Sequence, residues 1–97
     1  MAITYIIYSK RLDRFYIGAT TLSLTQRLDQ HNSGHYSNRS FTAKSNDWEE
    51  FLSINTNGLK HALRLEQKIK KMKSRKFIMN LKKYPELLQK IHKETMN

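Results

Sequence analysis

Ile3-Thr4-Tyr5-Ile6-Ile7-Tyr8 and, after a polar interval, Phe15-Tyr16-Ile17-Gly18-Ala19 decide how this chain is read. Both runs are rich in β-branched and aromatic residues, so both read as strands. Ser9 to Arg14, holding Lys10, Arg11, Asp13 and Arg14, reads as the turn of a hairpin and puts Tyr5 and Tyr16 on paired neighbouring strands. Whether the two tyrosines share a face depends on a register that spacing leaves open. Gly18 inside the second strand suits a bulge or a close backbone approach.

Beyond the hairpin, Thr20 to Ser23 offers helix N-caps, and Leu24, Arg27, Leu28 and His31 follow at the spacing of one helical face. The leucines would pack this helix on the sheet, so Arg27 and His31 emerge along the edge of the core, where two polar residues on an apolar stripe need partners. The helix is expected to stop near Asn32-Ser33-Gly34, and His35 to Asp47 reads as a loop near the helix end. Trp48 to Ile54 resembles a strand whose alternation is broken by Glu49 and Glu50, with Trp48 and Phe51 in the core; Asn55 to Gly58 is a turn. Leu59 to Lys73 is the clearest helix, with Leu59, Ala62, Leu63, Glu66, Ile69 and Met72 on one stripe. A carboxylate in that stripe is costly unless a cation or metal compensates it, so Glu66 asks for a function. Lys76 to Lys82 and Glu86 to Glu94 read as shorter helices separated at Tyr84-Pro85.

A chain of 97 residues, 38% hydrophobic, suits one domain over residues 1–97. Zero cysteines exclude disulfides, thiolate zinc sites and cysteine nucleophiles. The apolar run Ile3 to Tyr8 is too short for a signal peptide core or a membrane span, so a cytoplasmic protein with no membrane association is expected. There is no low-complexity linker and no repeat. Eighteen basic against 8 acidic residues give a net charge of +10, which attracts polyanions. Up to Thr56 the balance is 6 to 5; from Asn57 it is 12 to 3, so the basic surface is mostly C-terminal. The expected partner is nucleic acid, held on phosphates by Lys60, Lys68, Lys70, Lys71, Lys73, Arg75 and Lys76; a solvated lysine face or an acidic protein partner is the plainer explanation.

Taken together, these residues resemble the GIY-YIG nuclease superfamily, in its small stand-alone branch. The second tripeptide is intact as Tyr16-Ile17-Gly18; the first is degenerate, Ile3-Thr4-Tyr5, but keeps its tyrosine eleven residues before Tyr16. Arg27, His31-Asn32-Ser33-Gly34, Phe41-Thr42 before the Trp48 strand, and Ala62-Leu63-Arg64-Leu65-Glu66-Gln67-Lys68-Ile69-Lys70-Lys71 fit the same pattern, which covers roughly residues 3–83 and leaves 84–97 as a basic helical extension. The interval from Tyr16 to Arg27 is about one residue longer than in many members, Asn80 is left unassigned as a counterpart of a late asparagine, and an added DNA-recognition domain is lacking. The resemblance implies an α+β fold with a three-stranded, mainly antiparallel sheet flanked by helices. It also implies an endonuclease that hydrolyses DNA phosphodiester bonds, of the kind used in repair or recombination.

In the resembled family one divalent metal is bound by the glutamate, here Glu66, and Mg²⁺ or Mn²⁺ suits a hard oxygen ligand completed by water and phosphate. Tyr5 is the implied acceptor of the attacking water's proton, which requires a phenol with an ordinary pKa of about 10 to be lowered. Tyr16 would position the phosphate or the water, Arg27 would neutralise phosphate oxygens, and His31 would relay a proton or orient Tyr5; whether Tyr5 or His31 is the base stays open. Each residue also has a plain structural role: half-buried strand tyrosines, an Arg27–Glu66 ion pair, a helix-end histidine. His31 and His35 have the spacing of a helical zinc pair, but the intervening Asn32-Ser33-Gly34 and the lack of a third ligand argue against zinc. His61 and His92 carry no assigned role. Weak sequence preference, selectivity for DNA shape, and a monomer or weak dimer are expected. Two alternatives stand beside the nuclease: a non-catalytic nucleic-acid-binding module, and a catalytic subunit whose protein partner supplies substrate choice.

Overall fold

The computed structural model describes residues 2–32 and 45–96. Its elements are β1 (Ile3–Ser9), β2 (Arg14–Thr20), α1 (Leu24–Asn32), β3 (Trp48–Asn55), α2 (Leu59–Met72), α3 (Arg75–Lys83) and α4 (Pro85–Glu94). The fold is α+β: one antiparallel sheet in the order β2-β1-β3, with helices on its faces. The hairpin turn passes through Asp13 at φ 53°, a left-handed position that aspartate tolerates better than most residues. Its carboxylate accepts from the Tyr8 hydroxyl and from Arg75.

The register answers the question that spacing left open. Tyr5 lies opposite Gly18 and Ile7 opposite Tyr16. Residues opposite one another point to the same side of a sheet, so Tyr5, Ile7 and Tyr16 share a face while Ile6 and Ile17 share the other. The first face packs with Trp48 and with Leu24 and Leu28 of α1. The second buries Ile6, Ile17, Ile54, Leu65, Ile69, Ile78, Leu81 and Ile91 beneath α2, α3 and α4. Gly18 is a site of close approach; the bulge lies in β3, where Ile6 pairs with Leu52 but Ile7 with Glu50, leaving Phe51 as the extra residue. That bulge is why Glu49 and Glu50 interrupt the alternation. Trp48 is buried, and Phe51 is half-buried edge-on to Phe15 at 4.9 Å.

Along α2 the expected stripe needs correcting. The buried residues are His61, Ala62, Leu65 and Ile69, whereas Leu59, Leu63 and Met72 are 46, 44 and 48% exposed. Two rows of apolar residues compete on this helix, and the one that wins carries Ala62. Its small side chain lets the backbone come close enough for the buried Thr4 Oγ1 to donate to the Ala62 carbonyl at 2.7 Å. His61 is tolerated in the same row because both ring nitrogens are satisfied. The Asn57 amide donates to Nδ1 at 3.0 Å, so Nε2 carries the proton and faces the His92 carbonyl at 3.0 Å and Thr95 Oγ1 at 3.1 Å. His92 in turn donates from Nε2 to the Asn55 carbonyl at 2.9 Å. The two histidines therefore fasten α4 to α2 and β3. Among the described residues no helix is long and apolar enough to cross a membrane.

Candidate active site

Tyr5 is fully buried, and its ring crosses Gly18 on the neighbouring strand. A Cβ at position 18 would lie 2.5 Å from the Tyr5 Cζ and 2.9 Å from Cε1, and nearer still to the hydroxyl. Only glycine leaves that path open, which gives the last residue of Tyr16-Ile17-Gly18 a steric purpose. The hydroxyl arrives between two side chains of α1. Arg27 donates to it from Nε at 3.3 Å and from a terminal guanidinium nitrogen at 3.1 Å, and His31 Nε2 lies 3.0 Å away. With two N–H groups already pointed at the oxygen, the hydroxyl proton is directed at His31 Nε2, which accepts.

The surroundings explain the protonation states. His31 is 2% exposed, and burial together with the nearby Arg27 charge pulls its pKa from 6.5 to about 4. It is a neutral imidazole at neutral pH, able to accept a hydrogen bond at Nε2. Burial pushes the Tyr5 phenol up from 10.0, with Arg27 pulling in the opposite direction and Tyr16 and Glu66 adding to the rise. The lowered phenol that a free phenolate base requires is thus not what the protein alone supplies. Tyr16 sits beside the pair, its ring edge-on to His31 at 5.3 Å and to Trp48 at 6.4 Å.

Two side-chain amides support this arrangement, one within α1 and one between α1 and β3. Gln30 accepts from Arg27 at 3.0 Å. Asn32 donates to the Trp48 carbonyl at 2.9 Å and accepts from the Trp48 amide at 2.7 Å, behaving as one more rung of the sheet. His31 is thereby fixed to β3 through its neighbour. The sequence signal for this was the Asn32 that follows His31 at the helix end.

Glu66 approaches from α2, which packs chiefly against β2. Its side chain is mostly covered, and Oε2 pairs with Lys70 Nζ at 3.5 Å, one helical turn on. It lies at the flank of the buried row rather than in its middle, and it is not a lone charge. Lys70 also stands 5.9 Å from the centre of the Tyr16 ring, linking the carboxylate to the tyrosine–histidine cluster. Among the described residues the ion pair of Glu66 is with Lys70, not Arg27. No three His, Cys, Asp or Glu side chains among the described residues are grouped to enclose a metal. Glu66 offers one hard carboxylate already adapted to a cation, which fits a Mg²⁺-like ion that keeps most of its waters.

The other expected nucleic-acid residues do not form one surface. Lys70, Lys73 and Arg75 line a groove beside β2, while Lys68 and Lys71 line a separate hollow with Leu63 and Met72. Lys68 pairs with Glu94 at 3.4 Å and Arg75 with Asp13 at 2.6 Å; Lys60 and Lys76 are exposed elsewhere. Gly34, His35, Phe41-Thr42 and all of the expected loop before Ser45 lie outside the described residues.

Residues 1–82 match the family model of the GIY-YIG catalytic domain. The chain belongs to the GIY-YIG family. No curated protein and no solved structure matches it. GIY-YIG domains are nuclease domains, generally dependent on a divalent metal.

Proposed function

We propose that this GIY-YIG protein is an endonuclease that hydrolyses DNA phosphodiester bonds with Mg²⁺ or Mn²⁺ held at Glu66. The observation that carries the proposal is the Tyr5 hydroxyl shared between Arg27 and a neutral His31. In this reading Tyr5 takes the proton of the attacking water as its own proton passes to His31 Nε2. The transfer avoids a free phenolate, consistent with a phenol whose pKa burial has raised. The two Arg27 N–H groups carry the negative charge that grows on the Tyr5 oxygen during the step. Tyr16 orients the water or the phosphate from the same face of the sheet. Glu66 would hold the divalent ion, which would supply a Lewis acid for the phosphate and the departing oxygen. Lys70, which pairs with Glu66 in the structure, would then be available to a phosphate. Contacts of this kind favour selection by DNA shape over base sequence.

The test is cleavage of labelled single-stranded, duplex, flap and branched DNA with Mg²⁺ or Mn²⁺, wild type beside Glu66→Ala. Metal-dependent cutting that the variant lacks, with DNA affinity kept or raised by loss of a negative charge, is expected. Tight binding with no cutting of any substrate by the wild type would overturn the proposal in favour of a binding module.

A further inference from the structure

A second basic feature begins where the candidate active site ends. Between the start of β2 and the junction of α2 with α3 runs a groove of about 360 Å³, lined by Arg14, Phe15, Lys70, Lys73, Ser74 and Arg75 among others. Lys70 belongs both to this groove and to the Glu66–Tyr16 site. The acid in the groove, Asp13, is already neutralised: Arg75 reaches its carboxylate at 2.6 Å and lies over the rings of Phe15 and Tyr8 at 5.4 and 5.9 Å. Arg14 and Lys73 form no salt bridge among the described residues.

The backbone at Lys73 supplies an independent observation. It closes α2 in the left-handed region, at φ 45° and ψ 38°, where its amide donates to the Lys70 carbonyl at 3.2 Å. Glycine is the usual residue at such a helix end because a Cβ is disfavoured there. A lysine in that place makes the fold less stable than glycine would, which is explained if the side chain has a use. Ser74 then caps α3 by accepting from the Phe77 amide at 3.1 Å, so the turn presenting Lys73 is held on both sides. The opposite face of α2 is less suited to a polyanion. There Lys68 is paired with Glu94, Arg64 donates to the Thr95 and Met96 carbonyls, and exposed Leu63 and Met72 separate the charges.

We propose that this groove is the track for the nucleic-acid strand adjoining the cleaved phosphate, with Arg14, Lys70 and Lys73 on successive backbone phosphates. The inference rests on the nuclease reading for its substrate. The test is equilibrium binding of fluorescein-labelled single-stranded and duplex DNA in EDTA, where no cleavage occurs, across a salt series. Arg14→Gln and Lys73→Gly should each weaken binding several-fold and lower the slope of log K against log salt by about 1, equally for all sequences. Lys73→Gly should keep or raise Tm, separating lost binding from lost folding. Lys90→Gln, on the exposed side of α4 and away from the groove, should leave affinity and slope near wild type. In the cleavage assay the groove variants should raise KM with kcat largely kept.

Wild-type affinity and salt slope in both groove variants would overturn the groove, as would a loss confined to Lys90→Gln. A wild type that never cuts would instead remove the nuclease reading, leaving the binding map to decide the groove on its own.

Discussion

Replacing Gly18 by alanine should destabilise this protein, the reverse of the usual effect of that change in a strand. Elsewhere alanine in place of glycine gains about 0.5–1 kcal/mol from reduced freedom of the unfolded chain. Here the new methyl meets the Tyr5 side chain at 2.9 Å or less, half an ångström or more inside ordinary contact. Tyr5 is fully buried and cannot swing into solvent. Overpacking of this kind costs about 1–3 kcal/mol. Displacing the hydroxyl also weakens its bonds to Arg27 and His31, and a bond to a charged partner is worth about 1.5–3 kcal/mol. A net loss of about 2–4 kcal/mol is expected, a large part of the stability of a domain this size. Urea unfolding of Gly18→Ala, Tyr5→Val and the double variant isolates the contact. With the ring gone, Gly18→Ala should be neutral or stabilising. An equal cost with and without Tyr5 would refute the steric account, and so would a gain in the wild-type background.

Two further outcomes follow from the buried histidines. Unfolded His31 titrates near 6.5 but the folded residue only near 4, so the unfolded state binds the extra proton and stability should fall as pH drops from about 6.5 to 4. At about 1.4 kcal/mol per pKa unit this amounts to roughly 3 kcal/mol. His31→Gln should flatten part of the slope in urea titrations, and a variant keeping the full wild-type slope would contradict the assignment. Asp13 and Asp47, each held at about 2, lose their contribution only below about pH 4 and so act in a separate window. His61→Ala should cost about 2–3 kcal/mol by stranding the Asn57 amide and opening a gap. Hydrogen exchange should then show Ile91 to Thr95 opening before β1; unchanged protection there would mean that α4 is held by other contacts.

The hairpin, the α1 stripe and the family pattern were legible because each is local: strand composition, a turn, and residues three or four apart. The shared face of Tyr5 and Tyr16 was not, since a shift of one residue in pairing reverses a strand and only the assembled register fixes it. The helix boundaries of α2 were readable but its buried side was not. Leu59, Leu63 and Met72 fit an apolar row as well as Ala62, Leu65 and Ile69 do, and the choice fell to Thr4 and His61, whose partners lie far away in sequence. The same displacement moved Glu66 from the middle of a core stripe to its flank. Asn32 and Lys73 were marked in the sequence, but how each acts was not: one works through a strand sixteen residues on, the other through its backbone angles.

The order β2-β1-β3 also gives the molecule a sense of direction. One margin of the sheet, β3, carries the exposed carboxylates of Glu49 and Glu50, while the opposite margin adjoins α2 and the Arg14–Lys73 groove. A protein of charge +10 would otherwise be attracted to a polyanion in any orientation. With Glu49 and Glu50 on one margin and the Arg14–Lys73 groove on the other, a torque would act before contact and turn the β2 side toward a polyanion. Fewer encounters are then spent in unproductive orientations, a benefit that shrinks as salt shortens the reach of the field.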